Sequence, residues 1–137
     1  MDLKGTRTGV YVGALGGETT DHNLMNGNSE SLKYHAMANP GFMIANRISY
    51  FFDLKGTSLH VSTGCSASMI ALEQAVNAIR QGTCEMAIVA GSTVHLTPDA
   101  SEVFMSMNAL APDGVCKAFD DRGMVCYYCS YFVVIRT

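Results

Sequence analysis

From Ser58 to Gly82 the chain reads SLHVSTGCSASMIALEQAVNAIRQG, a short strand-like run that stops at one cysteine with a helical pattern directly behind it. The run TSLHVST is rich in β-branched residues, which suit a pleated surface. From Ser66 to Gln81, Met69, Leu72, Ala75, Val76 and Ile79 fall on one helical face, and Glu73, Asn77 and Arg80 fall on another. Gly82 ends the pattern. A strand that passes straight into a long amphipathic helix has few arrangements open to it. The helix buries its apolar face on the sheet, and the next strand returns parallel to the first.

The remaining segments agree with that reading. GVYVGALGG predicts a buried strand over about Gly9–Ala14, ended by the turn glycines Gly16 and Gly17. A polar stretch rich in Asn, Ser and Gly follows and reads as a surface loop or short irregular helix. In NPGFMIANRISYFFDLKG, Asn39 stands at a cap position, Pro40 in the first turn and Gly56 beyond the end. Phe42, Met43, Ile44, Ile48 and Phe51 predict a largely buried helix of about three turns. EMAIVAGS suits a buried parallel strand, and TPDASEVFMSMNAL a helix capped near Thr97 to Asp99. APDGVCKAFD is loop, with a turn at Pro112-Asp113-Gly114. Alternating strands and helices predict an α/β fold with a mainly parallel sheet. The strands near Gly9–Ala14, Ser58–Ser62 and Met86–Ala90 belong to it.

Composition narrows the function. Of 137 residues, 48% are hydrophobic and 15% charged, which is enough apolar material for a core. The net charge is -3 with no cluster of Lys or Arg, so nucleic acid and anionic membrane surfaces are poor partners. No run of about 18 apolar residues is present, and MDLKGTRTGV lacks the apolar core of a signal peptide, which favours a cytoplasmic location. Five cysteines at uneven spacing read as reduced thiols rather than a disulfide framework. His22 and His35 lack metal-ligand spacing, Cys126 and Cys129 make half a zinc site at most, and neither GxGxxG nor GxxxxGK[ST] occurs.

Cys65 is the residue with chemistry to explain. A helix N-terminus carries free N–H groups and a partial positive charge, both of which favour a thiolate. The same N–H groups can hold the oxyanion formed when a thiolate attacks a thioester. Ser62, Thr63, Gly64, Ser66, Ala67 and Ser68 are small and let an acyl chain approach the sulfur. A buried, inert cysteine is the commoner fate of a lone thiol, and on local chemistry both readings stay open.

STGCSASMIAL resembles the active-site segment of β-ketoacyl synthases, usually Asp-Thr-Ala-Cys-Ser-Ser-Ser followed by a helix. ANRISYFFDLKGTS resembles that family's Ala-Asn-Arg-Ile-Ser-Tyr-x-Phe-Asp-Leu-x-Gly-Pro-Ser, and LAPDGVCKAFD its Leu-Ser-Pro-Asp-Gly-x-Cys-Lys-x-Phe-Asp. RTGVYVGALGGETTD is similar to the same region of animal-type fatty acid synthases, and together the motifs cover about Gly5 to Asp120. The resemblance implies a partial N-terminal half of a thiolase-like fold with a buried nucleophile helix. It implies Cys65 as the acyl-accepting nucleophile, its own backbone N–H as an oxyanion donor, and no cofactor or metal bound directly. Substrates would arrive on the phosphopantetheine of an acyl carrier protein or on coenzyme A. The full enzyme would be a homodimer, with TSLHVST as interface candidate. Asn46, Arg47 and the run Lys117 to Asp120 would be scaffold.

Three residues depart from the family pattern: Ser62 for Asp, Gly64 for Ala and Ala67 for Ser. Gly64 is expected to loosen the placement of the nucleophile. The family's two decarboxylation histidines fall in motifs downstream of those found here. His60 is expected to pack or to sit at an interface, and His95 has no assigned role. Residues 1–123 therefore read as a partial domain, and 124–137 as a divergent tail that packs poorly. A fatty acid synthase fragment is the leading expectation. A type I polyketide synthase, a non-catalytic truncated remnant and a cysteine hydrolase are the others.

Overall fold

The computed structural model describes residues 3–14, 40–93, 98–108, 110–113, 115, 117, 120–121 and 131–136. Two compact units divide the chain, one formed by Met1–Ser92 with Ser130–Thr137 and the other by Thr93–Cys129. The first unit holds β1 (Thr8–Ala14), α1 (Phe42–Phe51), β2 (Ser58–Val61), α2 (Ala67–Arg80), β3 (Met86–Ser92) and β4 (Tyr131–Arg136). Its sheet runs β2-β1-β3-β4. β1 pairs parallel with β2 from Val10↔Ser58 to Gly13↔Val61, and with β3 from Thr8↔Met86 to Ala14↔Ser92. The three strands read from sequence thus share one sheet.

Strand periodicity splits the core in two. Val10, Val12 and Ala14 point to one face and pack with Ala45, Leu54 and Ile88. Tyr11 points to the other face and packs with Ala71, Ala75, Cys84, Ala87 and Val89. Every residue of β1 is buried, as befits a central parallel strand covered on both sides. Val10, Val12 and Val89 are fully buried, and each such side chain contributes roughly 1.5–3 kcal/mol.

Helix α2 covers the Tyr11 face, and Leu72, Ala75 and Ile79 of the expected stripe pack there. Its buried residues are Ala67, Ala71 and Ala75, with Leu72, Ala78 and Ile79 half-buried beside them. Met69 is 62% exposed. The alanines win the interface because they let the helix backbone lie close to the sheet, where a larger side chain would hold it away.

Helix α1 differs further from its expected burial. Gly41 rather than Asn39 stands at the N-cap, and Asn39 lies outside the described residues. Only Ala45 is buried. Phe42, Ile44 and Phe51 are exposed, as is Tyr50. The apolar stripe is present, yet the sheet takes up the alanine and half of Ile48 while Leu54, beyond the helix, fills the core. Ser58 on β2 donates a 2.6 Å hydrogen bond to Asn46 Oδ1, which ties α1 to the sheet edge. That contact fits a scaffold role for Asn46.

Residues 131–136, inside the segment read as a poorly packing tail, form β4. It runs antiparallel to β3 from Met86↔Arg136 to Gly91↔Tyr131. The expectation of poor packing does not hold for their backbone, which is paired along its length. β-Branched and aromatic residues in YFVVIR explain why this segment takes a strand.

In the second unit, α3 (Asp99–Ser106) starts after Pro98, which caps without a side-chain hydrogen bond. Lys117 Nζ donates to Asp113 Oδ2 at 2.5 Å, and Val115 N–H to Asp113 Oδ1 at 3.2 Å. The Lys117 hydrogen bond holds the Asp113 carboxyl below the usual carboxylate range, helped by the Val115 N–H. Lys117 is thus paired locally.

Candidate active site

The strand β2 and the helix α2 are joined by five residues, Ser62 to Ser66, all of them exposed. A set of short bonds closes this turn. Ser66 Oγ donates to the Thr63 carbonyl at 2.9 Å and contacts Thr63 Oγ1 at 3.1 Å. Ala67 N–H reaches back to the Gly64 carbonyl at 3.1 Å. The helical ladder opens at Ser66, whose carbonyl accepts from Met69 at 3.0 Å and Ile70 at 3.1 Å. Cys65 is therefore held one residue before the N-cap Ser66, with its thiol exposed. Among the described residues, the buried cysteine is Cys84, at 2% exposure.

Gly64 does more than loosen this turn. Its φ of +63° lies in the left-handed region, and a Cβ there would meet nothing within 4 Å. The obstacle to a side chain is backbone conformation, not space. The glycine lets the chain reverse between β2 and Cys65.

His60 sits on β2, and its Nε2 lies 3.1 Å from the Ala14 carbonyl at the end of β1. That is a packing role, as expected from its strand position. His22, His35 and His95, together with Cys116, Cys126 and Cys129, lie outside the described residues. Among the described residues, no group of three His, Cys, Asp or Glu side chains comes together as a metal site would require.

Sequence reasoning missed the contact beneath the turn. A Cβ on Gly13 would fall 2.5 Å from Ala67 C and from Ser68 Cα, and on top of Ser68 N. The signal is present in the sequence, because period two places Gly9, Tyr11 and Gly13 on one face of β1, the face that α2 covers.

The sheet is mainly parallel, and the turn between β2 and α2 presents an exposed cysteine. The family model for the β-ketoacyl synthase N-terminal domain matches residues 1–126, and the chain belongs to that family. It is 46% identical over 121 residues to a fatty acid synthase of Anser anser anser, an alignment covering 88% of this chain and 34% of that protein. It is 41% identical over 120 residues to the highly reducing polyketide synthase cnsI of Penicillium expansum, covering 86% and 5%. Among solved structures, the ketosynthase from module 6 of the bacillaene synthase of Bacillus subtilis 168 superposes with a TM-score of 0.73. Its identity is 29%, over 98% of this chain and 22% of the other. The oxazolomycin ketosynthase domain OzmH KS7 of Streptomyces albus JA3453 gives 0.68 at 35% identity, over 86% and 21%. The chain thus spans about a third or less of the proteins it matches.

Proposed function

We propose that this chain is part of a condensing enzyme of fatty acid synthesis in which Cys65 accepts the acyl group. The observation that carries the reading is the exposed Cys65 thiol, fixed by a hydrogen-bonded turn at the entrance to α2 in a β-ketoacyl synthase domain. The thiolate attacks the carbonyl of an acyl thioester, and the backbone N–H of Cys65 stabilises the oxyanion. The carrier thiolate leaves, and the acyl group stays on sulfur. In the complete enzyme, malonyl-carrier then loses carbon dioxide, and the resulting carbanion attacks the acyl-Cys65 carbonyl. The β-ketoacyl product departs on the carrier and the Cys65 thiolate is restored.

The acyl donors are thioesters of coenzyme A or of the phosphopantetheine arm of an acyl carrier protein. Among the described residues β2 is one of the two edge strands of the sheet, with β1 beside it, and in this reading it meets β2 of a second copy in a homodimer. The location is cytoplasmic. No described helix is long and apolar enough to cross a membrane. Residues 1–123 supply the domain part, and β4 serves as its outer strand. Identity to the fatty acid synthase, 46% against 41% for the polyketide synthase cnsI, favours the fatty acid reading.

The test supplies acyl-coenzyme A and then malonyl-coenzyme A to the 137-residue chain. Intact mass is expected to show one acyl group on the chain and none on Cys65→Ala, with no β-ketoacyl product and no carbon dioxide. Decarboxylation draws on groups worth factors of about 10² or more, and His60 is committed to Ala14. An unmodified chain would favour the non-catalytic remnant. Product that depends on Cys65 would show that the chain is competent alone.

A further inference from the structure

We infer that Gly13 is a positioning residue for Cys65, an inference that rests on the acyl-transfer reading above. Gly13 lies near the C-terminal end of β1, in register with Val61, the last residue of β2. Four residues after Val61 comes Cys65. On the opposite side of that turn, the first residues of α2 press directly on Gly13. The atoms a Cβ would strike are Ala67 C, Ser68 N and Ser68 Cα, all of them backbone. A flexible side chain could swing aside, but a helix backbone cannot.

Ala67, 4% exposed, closes the contact from the helix side. The turn carrying Cys65 is thus fixed at both ends. β2 holds one end by its register with β1, and Gly13 sets the height of the other above the same strand. A methyl group on Gly13 would lie only 2.5 Å from Ala67 C. Carbon atoms rest at about 3.5–4.0 Å, so the start of α2 would have to move away by about 1 Å. The Ser66 carbonyl anchors the first helical bonds, and Ser66 Oγ is tied to Thr63, so that movement is passed to Cys65 between them. Displacement of a reacting group by 1 Å costs on the order of 10²-fold in rate. The position of the nucleophile is therefore set partly by a residue 52 positions earlier (65 − 13) that carries no chemistry of its own.

The experiment compares the full chain with Gly13→Ala, and with Val89→Ala as a core change beneath Ala71 and Ala75 rather than beneath Ala67 and Ser68. Acylation by acyl-coenzyme A and alkylation of Cys65 by iodoacetamide are followed by mass. Alkylation of Cys84, buried in the native chain, reports unfolding. Gly13→Ala is expected to acylate at least tenfold more slowly with Cys84 still protected, while Val89→Ala stays within about twofold of the parent. If Gly13→Ala exposes Cys84, Ala67→Val presses on the same contact from the helix and is expected to give the same loss. A folded Gly13→Ala that acylates and alkylates at the parent rates overturns the inference. So does an equal loss in Val89→Ala. Iodoacetamide reads the geometry without acyl transfer, and a change of about threefold or more is expected there. A parent chain that alkylates but never acylates counts against Cys65 as nucleophile, and the alkylation comparison still decides the role of Gly13.

Discussion

Helices α1 and α2 cover opposite faces of one sheet, and both touch it through alanine. They differ in what lies behind the contact. α2 buries Ala67, Ala71 and Ala75, the last two in a cluster that includes Tyr11, Cys84 and Val89. α1 contributes Ala45 alone as a buried residue, and leaves Tyr50 89% and Phe51 79% exposed. An open apolar groove lined by Met43, Asn46, Arg47, Ser49, Tyr50 and Phe51 runs along that outer side. Amphipathic pattern alone therefore does not say which apolar residues meet the sheet. The small ones do, because they permit close approach, and the large ones are left for whatever lies outside.

The largest effect should come from the residue that fills the α1 side in place of the helix. Leu54→Ala is expected to cost about 2–5 kcal/mol, read from the midpoint of urea unfolding. A comparable loss from Phe51→Ala would break the contrast between the two faces. Next is Ala71→Leu, which forces a larger side chain between α2 and the sheet. About 1–3 kcal/mol of destabilisation is expected, and a neutral result would mean that the helix stands further from the sheet than its buried alanines imply.

A smaller effect sharpens the α2 side through pH. Burial pushes the Tyr11 phenol above its ordinary range, and the nearby Cys84 adds to the rise while the Thr57 hydrogen bond opposes it. The folded chain then keeps this proton to higher pH than the unfolded chain, which begins to lose it near pH 10. The stability it supplies is complete below about pH 10 and declines above, through the raised folded value. Tyr11→Phe should flatten that alkaline decline in urea midpoints taken between about pH 9 and 11, and an unchanged slope would assign the decline elsewhere. Smallest of all is Tyr50→Ser on the exposed side of α1, expected to lie within about 0.5 kcal/mol and to raise solubility.

The strands, helix α2 and the cysteine at the elbow are legible in the sequence because each rests on local pattern: period two in GVYVG, β-branched runs, and a glycine after Arg80 and Gln81. What escapes depends on distance between segments remote in sequence. Met69 reads as buried because it is large and apolar, but the sheet selects alanines. Gly64 reads as a loosened alanine, although its turn requires a positive φ. β4 reads as foreign because its residues do not follow the expected motif. Pairing depends on the backbone and on β propensity, and YFVVIR satisfies both without the motif. Faster labelling of Cys65 than of Cys84 does not by itself report activation. With Cys84 2% exposed, accessibility alone produces that difference, so the useful reference is Cys65 in the unfolded chain.

β1, an inner strand of the sheet, precedes both of its neighbours in the chain, and that order has a consequence during synthesis. β1 leaves the ribosome with Val10, Tyr11 and Val12 but without either neighbour. Val10 must wait for Ser58, 48 residues later (58 − 10), and Thr8 for Met86, 78 residues later (86 − 8). At about 5–20 residues per second, the waits are roughly 2–10 s and 4–16 s. For that time a strand destined for complete burial is an exposed β-prone segment, and it is the nascent chain rather than the finished one that most needs a chaperone.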